Sequence, residues 1–310
     1  NGTASILLEP QSTNLLTYSN DFSNSDWTKQ SGVTATYNTT ETLSPDGTYN
    51  ATKLVGNGTV GIYSQTAATG LLTRSIYIKS VTGNVNVILK DPAFTTLSKS
   101  LLVTTEWQRF ELTEDNGQSI SSGLWVDDIP SSGIYIYGAQ LESQSFSTSY
   151  IPTSGQSGGV TRAAETLNNA GNSDLINSTE GVLYVEIATN NLATFKNISI
   201  NDGSNSNRIN LFIYNAALSV NFDVGGVTQA SLSYTIPEVL SFNKFAFSYK
   251  INEFKLFVNG TQRGSTDTSG IVPPINTFNK LSFNDSFGNP FHGRCKTVAV
   301  FSEALSDTEL

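Results

Sequence analysis

The chain has 310 residues, with one cysteine (Cys295), one histidine (His292) and no methionine. One cysteine excludes a disulfide within the chain and a zinc site built on thiolates, so stability must come from burial. No apolar run approaches the roughly 20 residues of a membrane span, so we expect no membrane insertion, and we expect no signal peptide before Asn1. Because methionine is absent even from position 1, we expect a processed product or a fragment of a longer protein.

Charge is also scarce. Charged residues make up 14% of the chain, with 26 acidic against 17 basic side chains and a net charge of −9. Nucleic-acid surfaces need clustered lysine and arginine, which the sequence lacks, so we expect no nucleic-acid partner. The chain is rich in Ser, Thr, Asn and Gly and holds 17 phenylalanines and 12 tyrosines. This composition is typical of an all-β extracellular or virion protein.

Alternating apolar and polar residues predict antiparallel strands throughout. In the first half the clearest examples are residues 74–79 and 84–90, and a lead-in strand is expected near residues 6–8. Alternating runs resume at residues 182–187. Between the runs that follow, three dipeptides supply the positive φ that tight hairpins need: Asp202-Gly203, Gly225-Gly226 and Asn259-Gly260. The predicted fold is all-β, with two tandem antiparallel β-sandwich (jelly-roll) domains at residues 1–155 and 162–310.

The stretch 138–165 loses the strand period, and no apolar residue occurs from Thr153 to Gly159. This composition predicts an exposed connection between two modules. The alternative is a long surface loop inside one domain. The run YGAQLESQSFSTSYIPTSG, followed by TRAAE, resembles a junction in bacteriophage tail and appendage proteins, where a carbohydrate-binding-like jelly roll ends and a second module begins.

The opening LLTYSNDFSNSDWTK, with SPDGTYNATKL, resembles the start of the same phage modules, and TEWQRFELT resembles a late strand of carbohydrate-binding jelly rolls. Trp27 and Trp107 then either pack into the sandwich or stack on glycan. The resemblance implies other virion proteins and a cell-surface or extracellular polysaccharide as partners. It also implies a homo-oligomer, a trimer in phage fibres, at the virion surface or outside the cell.

Two segments near the C-terminus, FSYKINEFKLFVNGTQRG and FHGRCKTVAVFSEALSDTEL, are similar to concanavalin-A-like lectin/glucanase and laminin-G-like domains. The resemblance implies such a domain over about the last 130 residues, with ALSDTEL starting a short helical turn, and leaves the ligand open. The glucanase pattern Glu-x-Asp-x-x-Glu, which retaining hydrolysis requires, is absent. Glu186 has no second acid two residues on, so we expect no enzyme.

A lectin site combines an aromatic platform with amides or carboxylates, because a sugar offers an apolar face and a rim of hydroxyls. The best such cluster in the first module is Trp125, Asp127 and Asp128 with Tyr135 and Tyr137. The alternative is that these aromatics face the sheet interior and the aspartates form a turn.

Oxygen ligands for a calcium ion occur in two loops of the second module, at Asp202 and Asn205 and at Asn284 and Asp285. Ordinary β-turn chemistry is the alternative for these residues. We therefore expect a non-catalytic virion protein that displays or recognises surface glycans. The alternative function is a pair of accessory carbohydrate-binding modules from a secreted bacterial glycan-degrading enzyme.

Overall fold

A computed structural model describes residues 4–93, 96–117, 121–190, 194–285 and 288–310. Over these residues the only regular secondary structure is the β-strand, which confirms the predicted all-β class. None of the described segments forms a helix long and apolar enough to cross a bilayer.

The chain divides into two compact units. The inserted unit is Gln11–Ala163, and the C-terminal unit is Ala164–Leu310 together with the N-terminal segment that ends at Pro10. Strand β1 (Ile6–Leu8) lies in the C-terminal unit, where Leu7 pairs with Arg294. The lead-in strand expected before the first sandwich is therefore an edge strand of the second, because its backbone partner comes from the far end of the sequence.

The described residues of the inserted unit form twelve strands. They are β2 (Ser12–Asn14), β3 (Trp27–Lys29), β4 (Thr34–Thr36), β5 (Thr52–Val55), β6 (Ile62–Thr66), β7 (Leu71–Ser80), β8 (Val85–Lys90), β9 (Ser98–Val103), β10 (Gln108–Asp115), β11 (Ser122–Asp127), β12 (Ile134–Glu142) and β13 (Val160–Arg162). Ten of them form two five-stranded sheets, β3-β6-β11-β8-β9 and β10-β7-β12-β5-β4. Alternate residues of both sheets fill one apolar core, as a β-sandwich requires.

The tryptophans of the inserted unit differ in burial. Trp27 lies in the core, 4.7 Å from the Phe22 ring, and its indole nitrogen donates to the Tyr18 carbonyl. Trp107 is half-buried, and its indole nitrogen donates to the Leu43 carbonyl at 2.7 Å. Both rings are held by structural contacts of this kind, since a buried indole N–H needs an acceptor.

The segment after β12 is tied into the inserted unit by a buried carboxylate. Glu142 is fully buried and accepts hydrogen bonds from Ser12, Gln144 and the backbone and hydroxyl of Thr148. Asn14 is equally buried and donates to the carbonyl of Ile151 at 2.9 Å.

The stretch 138–165, which the sequence predicts to be an exposed connection, is exposed only in part. Residues 154–158 are exposed, but Thr153 is buried and the Gly155 amide donates to the Thr17 carbonyl. Strand β13 then pairs with β2. Composition alone missed these contacts because their partners lie far away, at the start of the unit.

In the C-terminal unit, β1 and ten further strands lie within the ranges that the structure describes. They are β14 (Glu180–Thr189), β15 (Lys196–Asn201), β16 (Arg208–Tyr214), β17 (Ala217–Val224), β18 (Val227–Thr235), β19 (Asn243–Lys250), β20 (Glu253–Val258), β21 (Thr261–Gln262), β22 (Lys280–Ser282) and β23 (Gly293–Phe301). The sheets are β1-β23-β14-β19-β20-β21 and β18-β17-β16-β15-β22. Their core centres on Phe222, whose ring lies 5.1 Å from Phe254 and 5.5 Å from Tyr249.

Two of the predicted hairpin turns are confirmed. Asn259 and Gly260, with φ of 52° and 74°, join β20 to β21, and Gly225-Gly226 joins β17 to β18. Asp202-Gly203 instead begins a longer connection that ends at Asn207. The C-terminal ALSDTEL forms one turn in which the Glu309 amide donates to the Ser306 carbonyl and the Glu309 carboxylate accepts from the backbone and hydroxyl of Ser306.

We propose that each unit is a domain that folds on its own. The fragment Gln11–Ala163 should show one cooperative urea transition and β-type circular dichroism. The same fragment ended at Ser154 should be less stable, because it loses the β13 pairing to β2. If only the whole chain unfolds cooperatively and the longer fragment is unfolded, the two-domain proposal is wrong.

Candidate functional site

The outer face of the sheet β18-β17-β16-β15-β22 is polar because its strands alternate strictly. On β16 the residues Ile209, Leu211 and Ile213 enter the core of the C-terminal unit. Asn210 and Phe212 therefore project from the opposite face, since successive side chains of a strand point to opposite sides. The same holds for Asn197 on β15 and Asn221 on β17, so three neighbouring strands present amides on one surface.

A continuous polar row crosses this face. Backbone pairing places Asn210 directly beside Asn221 on one side and beside Ser199 on the other. The row continues through Ser282 at one end and Ser231 at the other, so that all five strands contribute. Directly paired side chains are close enough to act on one ligand.

Aromatic rings border the row. Phe195, just before β15, stacks on Tyr214 with ring centroids 4.4 Å apart and an interplanar angle of 12°. Its ring also lies 5.8 Å from that of Phe212. Phe195 and Tyr214 are exposed and Phe212 is half-buried. Aromatic surface next to hydrogen-bonding amides suits a ligand with an apolar face and a polar rim.

A loop between β22 and β23 closes the other side. Asp285 is buried and accepts hydrogen bonds from the backbone and side-chain nitrogens of Asn289 at 2.9 and 2.8 Å. The carbonyl of Asn289 in turn accepts from Asn197 at 3.0 Å. These contacts hold Asp285 and Asn289 beside β15 and complete a hollow of about 190 Å³. It is lined by Phe195, Asn197, Asn210, Phe212, Asn221, Asp285 and Asn289.

One atom of this hollow has its hydrogen-bonding capacity unused. The side-chain oxygen of Asn210 is buried and has no hydrogen-bond partner among the described residues, although Asn210 is only 5% exposed. An unsatisfied buried acceptor carries a desolvation penalty, which a ligand hydroxyl donating to it would relieve. The arrangement can thus bind a polyhydroxylated ligand, and Asn210 is its central acceptor.

The predicted cluster in the inserted unit is not brought together. Trp125 projects from the outer face of β11, where its ring contacts Tyr63 at 5.2 Å and the Lys90 ammonium lies 3.8 Å from its centroid. Asp127 forms an ion pair with Lys90, and Asp128 occupies the turn that follows with φ of 55°. Tyr63 and Lys90, which sequence reasoning missed, are the neighbours of Trp125.

Tyr135 and Tyr137 lie on β12, in the other sheet of the sandwich, and project from its outer face away from Trp125. Each is only 5% exposed, and their hydroxyls donate to Glu41 and Asp46 of the loop between β4 and β5. Burial, together with the Glu41 carboxylate, raises the pKa of Tyr135 to about 12. The two tyrosines hold this loop in place, so the predicted five-residue cluster does not form.

The residues predicted to bind calcium lie in two separate loops. Burial opposes ionisation of Asp202, but hydrogen bonds from Ser204 and Asn207 outweigh it and hold the pKa of its carboxyl below the ordinary value. Asn205 accepts from Arg208. Within the described ranges no three His, Cys, Asp or Glu side chains group as metal ligands do. Asp285 lines the hollow instead, the Asn284 carbonyl accepts from the Ser199 hydroxyl, and calcium binding stays a prediction.

Sequence reasoning missed Asn197, Asn210, Phe212 and Asn221. A signal was present, since NISIN, RINLFIY and ALSVNFDV all alternate an aliphatic residue with a polar or aromatic one. What the pattern lacked was the order of the strands, which decides that these side chains are neighbours.

Residues 166–310 match the family described as the Concanavalin A-like lectin/glucanases superfamily. The match covers just under half of the chain and lies within the C-terminal unit, whose two antiparallel sheets form a β-sandwich. No curated protein sequence matches the chain.

The chain is also similar to several solved structures, including three that each match less than half of it. The carbohydrate-binding module CBM40 of the Ruminococcus gnavus IT-sialidase is 18% identical, with a TM-score of 0.38 over 47% of this chain and 94% of that one. Domain 4 of AbnA, a GH43 extracellular arabinanase from Geobacillus stearothermophilus solved with arabinotriose, is 13% identical, with a TM-score of 0.36 over 46% and 68%. Galectin LEC-6 of Caenorhabditis elegans is 13% identical, with a TM-score of 0.29 over 44% and 88%.

The hydrogen bond from Tyr137 to Asp46 predicts a structural role for this tyrosine. Tyr137→Phe should lower the free energy of unfolding of the chain by about 1 kcal/mol, because a buried hydrogen bond to a carboxylate is lost. Tyr49→Phe, in the same loop but 55% exposed, is the matched control and should be neutral. Urea denaturation measures both. An unchanged stability with weakened glycan binding would instead favour the role expected from the sequence.

Proposed function

We propose that this protein binds glycans non-catalytically, and that the hollow between β15, β16, β17 and the Asp285–Asn289 loop holds the sugar. The observation that carries the proposal is the buried, unpartnered side-chain oxygen of Asn210 beside the Phe195, Phe212 and Tyr214 rings. A sugar ring packed against Phe212 would place a hydroxyl over Asn210, where it satisfies the acceptor.

The chemistry of the hollow supports binding rather than turnover. Glycoside hydrolysis uses two carboxyl groups, and of the described residues lining the hollow only Asp285 carries one. The Glu186 carboxylate lies 3.2 Å from the Lys296 ammonium, in an ion pair. His292 is half-buried and its Nε2 has no hydrogen-bond partner in the described part of the chain.

A Gly-x-Ser-x-Gly pattern does occur, at Gly155–Gly159, but it carries no catalytic geometry. A nucleophile elbow places its serine between a strand and a helix. Ser157 instead lies in an exposed turn that leads into β13, in the inserted unit, whereas His292 belongs to the C-terminal unit.

We further propose that the chain is part of a virion, as a bacteriophage tail, fibre or capsid appendage protein. The support is the resemblance of the Gly138–Glu165 stretch to phage module junctions. The alternative is a pair of accessory modules of a secreted bacterial glycan-degrading enzyme. One sugar stacked on one aromatic ring contributes only about 1 kcal/mol, so adhesion calls for several copies, and we propose a homo-oligomer, a trimer if a fibre.

The virion proposal is tested on the source material. Mass spectrometry of purified particles should detect peptides of this chain together with other virion proteins. Detection only in a secreted polypeptide that also carries a catalytic domain would support the accessory-module alternative instead.

Binding is tested by substitution in the hollow. Asn210→Ala and Phe212→Ala should each weaken binding to a responsive bacterial polysaccharide by about tenfold or more, because they remove the acceptor and the apolar surface. Ser233→Ala, on the exposed outer face of β18, is the matched control and should bind like the parent chain. Isothermal titration gives the affinities, and thermal unfolding checks that the variants are folded. Equal affinities for all four proteins would disprove the assignment of the hollow.

A further inference from the structure

We infer that the hollow selects an uncharged sugar ring and rejects acidic sugars such as uronic and sialic acids. The inference rests on the proposed function, since it specifies the ligand of the same site. It depends on the charges that surround the hollow and on its size.

Among the described residues that line the hollow there is no lysine or arginine, and the one charged side chain is Asp285. The remaining polar groups are the amides of Asn197, Asn210, Asn221 and Asn289. An amide both donates and accepts, which matches a sugar hydroxyl. A ligand carboxylate, by contrast, needs charge-assisted donors, and arginine is the side chain that supplies them as a bidentate pair.

Arg208, a basic residue close to Asn210 on β16, already donates its hydrogen bonds to other side chains. Arg208 lies two residues before Asn210 on the same face of β16, and its Nε donates to Asp223 at 2.8 Å. Its Nη1 donates to Asn205, also at 2.8 Å. Turning Arg208 towards a ligand would leave the Asp223 carboxylate, which is buried, without this partner, and the loss of a buried ion-pair partner is strongly unfavourable.

Lys280 on β22 pairs with Asn201, in the row of Arg208 and not in that of Asn210, and its ammonium lies beside Gly203. Two further basic side chains come from β15 and from the segment before β23. Lys196 precedes Asn197 on β15 but is only 2% exposed, and its ammonium donates to Thr194. His292 follows the Asn289 loop, and burial together with Lys196 lowers its pKa to about 4, so that it is neutral at pH 7. Neither therefore supplies an accessible positive charge to the hollow.

An acidic sugar would bring its carboxylate next to Asp285, and none of the described residues that line the hollow is a lysine or arginine that could compensate the two charges. The ligand carboxylate would lose its hydration and would be repelled by the like charge of Asp285. A site that imposes these costs rejects the acidic ligand and accepts its neutral counterpart. The volume of about 190 Å³ is below the range of roughly 300–1,000 Å³ of drug-sized pockets, so the hollow accommodates a single ring. Recognition thus concerns one neutral sugar unit of the glycan.

The experiment compares one glycan in two charge states. A panel of neutral and acidic bacterial polysaccharides is titrated against the full chain, and each acidic member is also titrated after carbodiimide-mediated reduction of its carboxyl groups to primary alcohols. Linkage and ring type stay the same, so only the charge differs. We expect binding to neutral glycans, at least about tenfold tighter binding to a reduced form than to its acidic parent, and less than about twofold change in affinity between 20 and 500 mM NaCl.

The same titrations with the Asn210→Ala variant test whether the glycan binds in the hollow, and Ser233→Ala is the control. Acidic forms that bind as tightly as their reduced forms, through Asn210, would overturn the charge selection and leave the proposed function intact. Binding that survives Asn210→Ala would overturn the selection at this site, because the glycan would then lie elsewhere. The absence of binding by every form would overturn the proposed function, and the inference with it.

Discussion

The candidate site depends on the packing of β16 against the core of the C-terminal unit. Ile209, Leu211 and Ile213 are buried among the residues of the opposite sheet, and sliding the strand by one position would bring Asn210 and Phe212 into that core. Burying an amide without a partner is unfavourable, so the register is strongly determined. The same constraint that stabilises the sandwich therefore presents the amides and the aromatic ring on the outer face.

Buried polar groups play two different roles in this protein. In the inserted unit, Glu142 and Asn14 are buried and have their hydrogen bonds satisfied, so they fasten the segment that follows β12. In the C-terminal unit, Asn210 is buried and its side-chain oxygen is unsatisfied. A satisfied buried group stabilises the chain, whereas an unsatisfied one facing a hollow is suited to a ligand.

The failure of the predicted aromatic cluster has a simple physical reason. Trp125 and Tyr135 are close in sequence, but they lie on strands that belong to opposite sheets of one sandwich, and both project outwards. Two residues that are close in sequence can therefore lie far apart in space when the turn between them connects the two sheets. By contrast, Asn197 and Asn289 lie 92 residues apart and are joined by a hydrogen bond.

The sequence by itself determined the all-β class, the strands with their inward and outward residues, and the turns at Asn259-Gly260 and Gly225-Gly226, because each follows from alternation and local backbone preference over a few residues. Tertiary structure decided the pairing of β1 with β23, the fastening of the segment after β12, and the meeting of Asn197, Asn210 and Asp285 in one hollow. These depend on which strands become neighbours, a choice governed by long-range burial and backbone hydrogen bonding that no local pattern encodes.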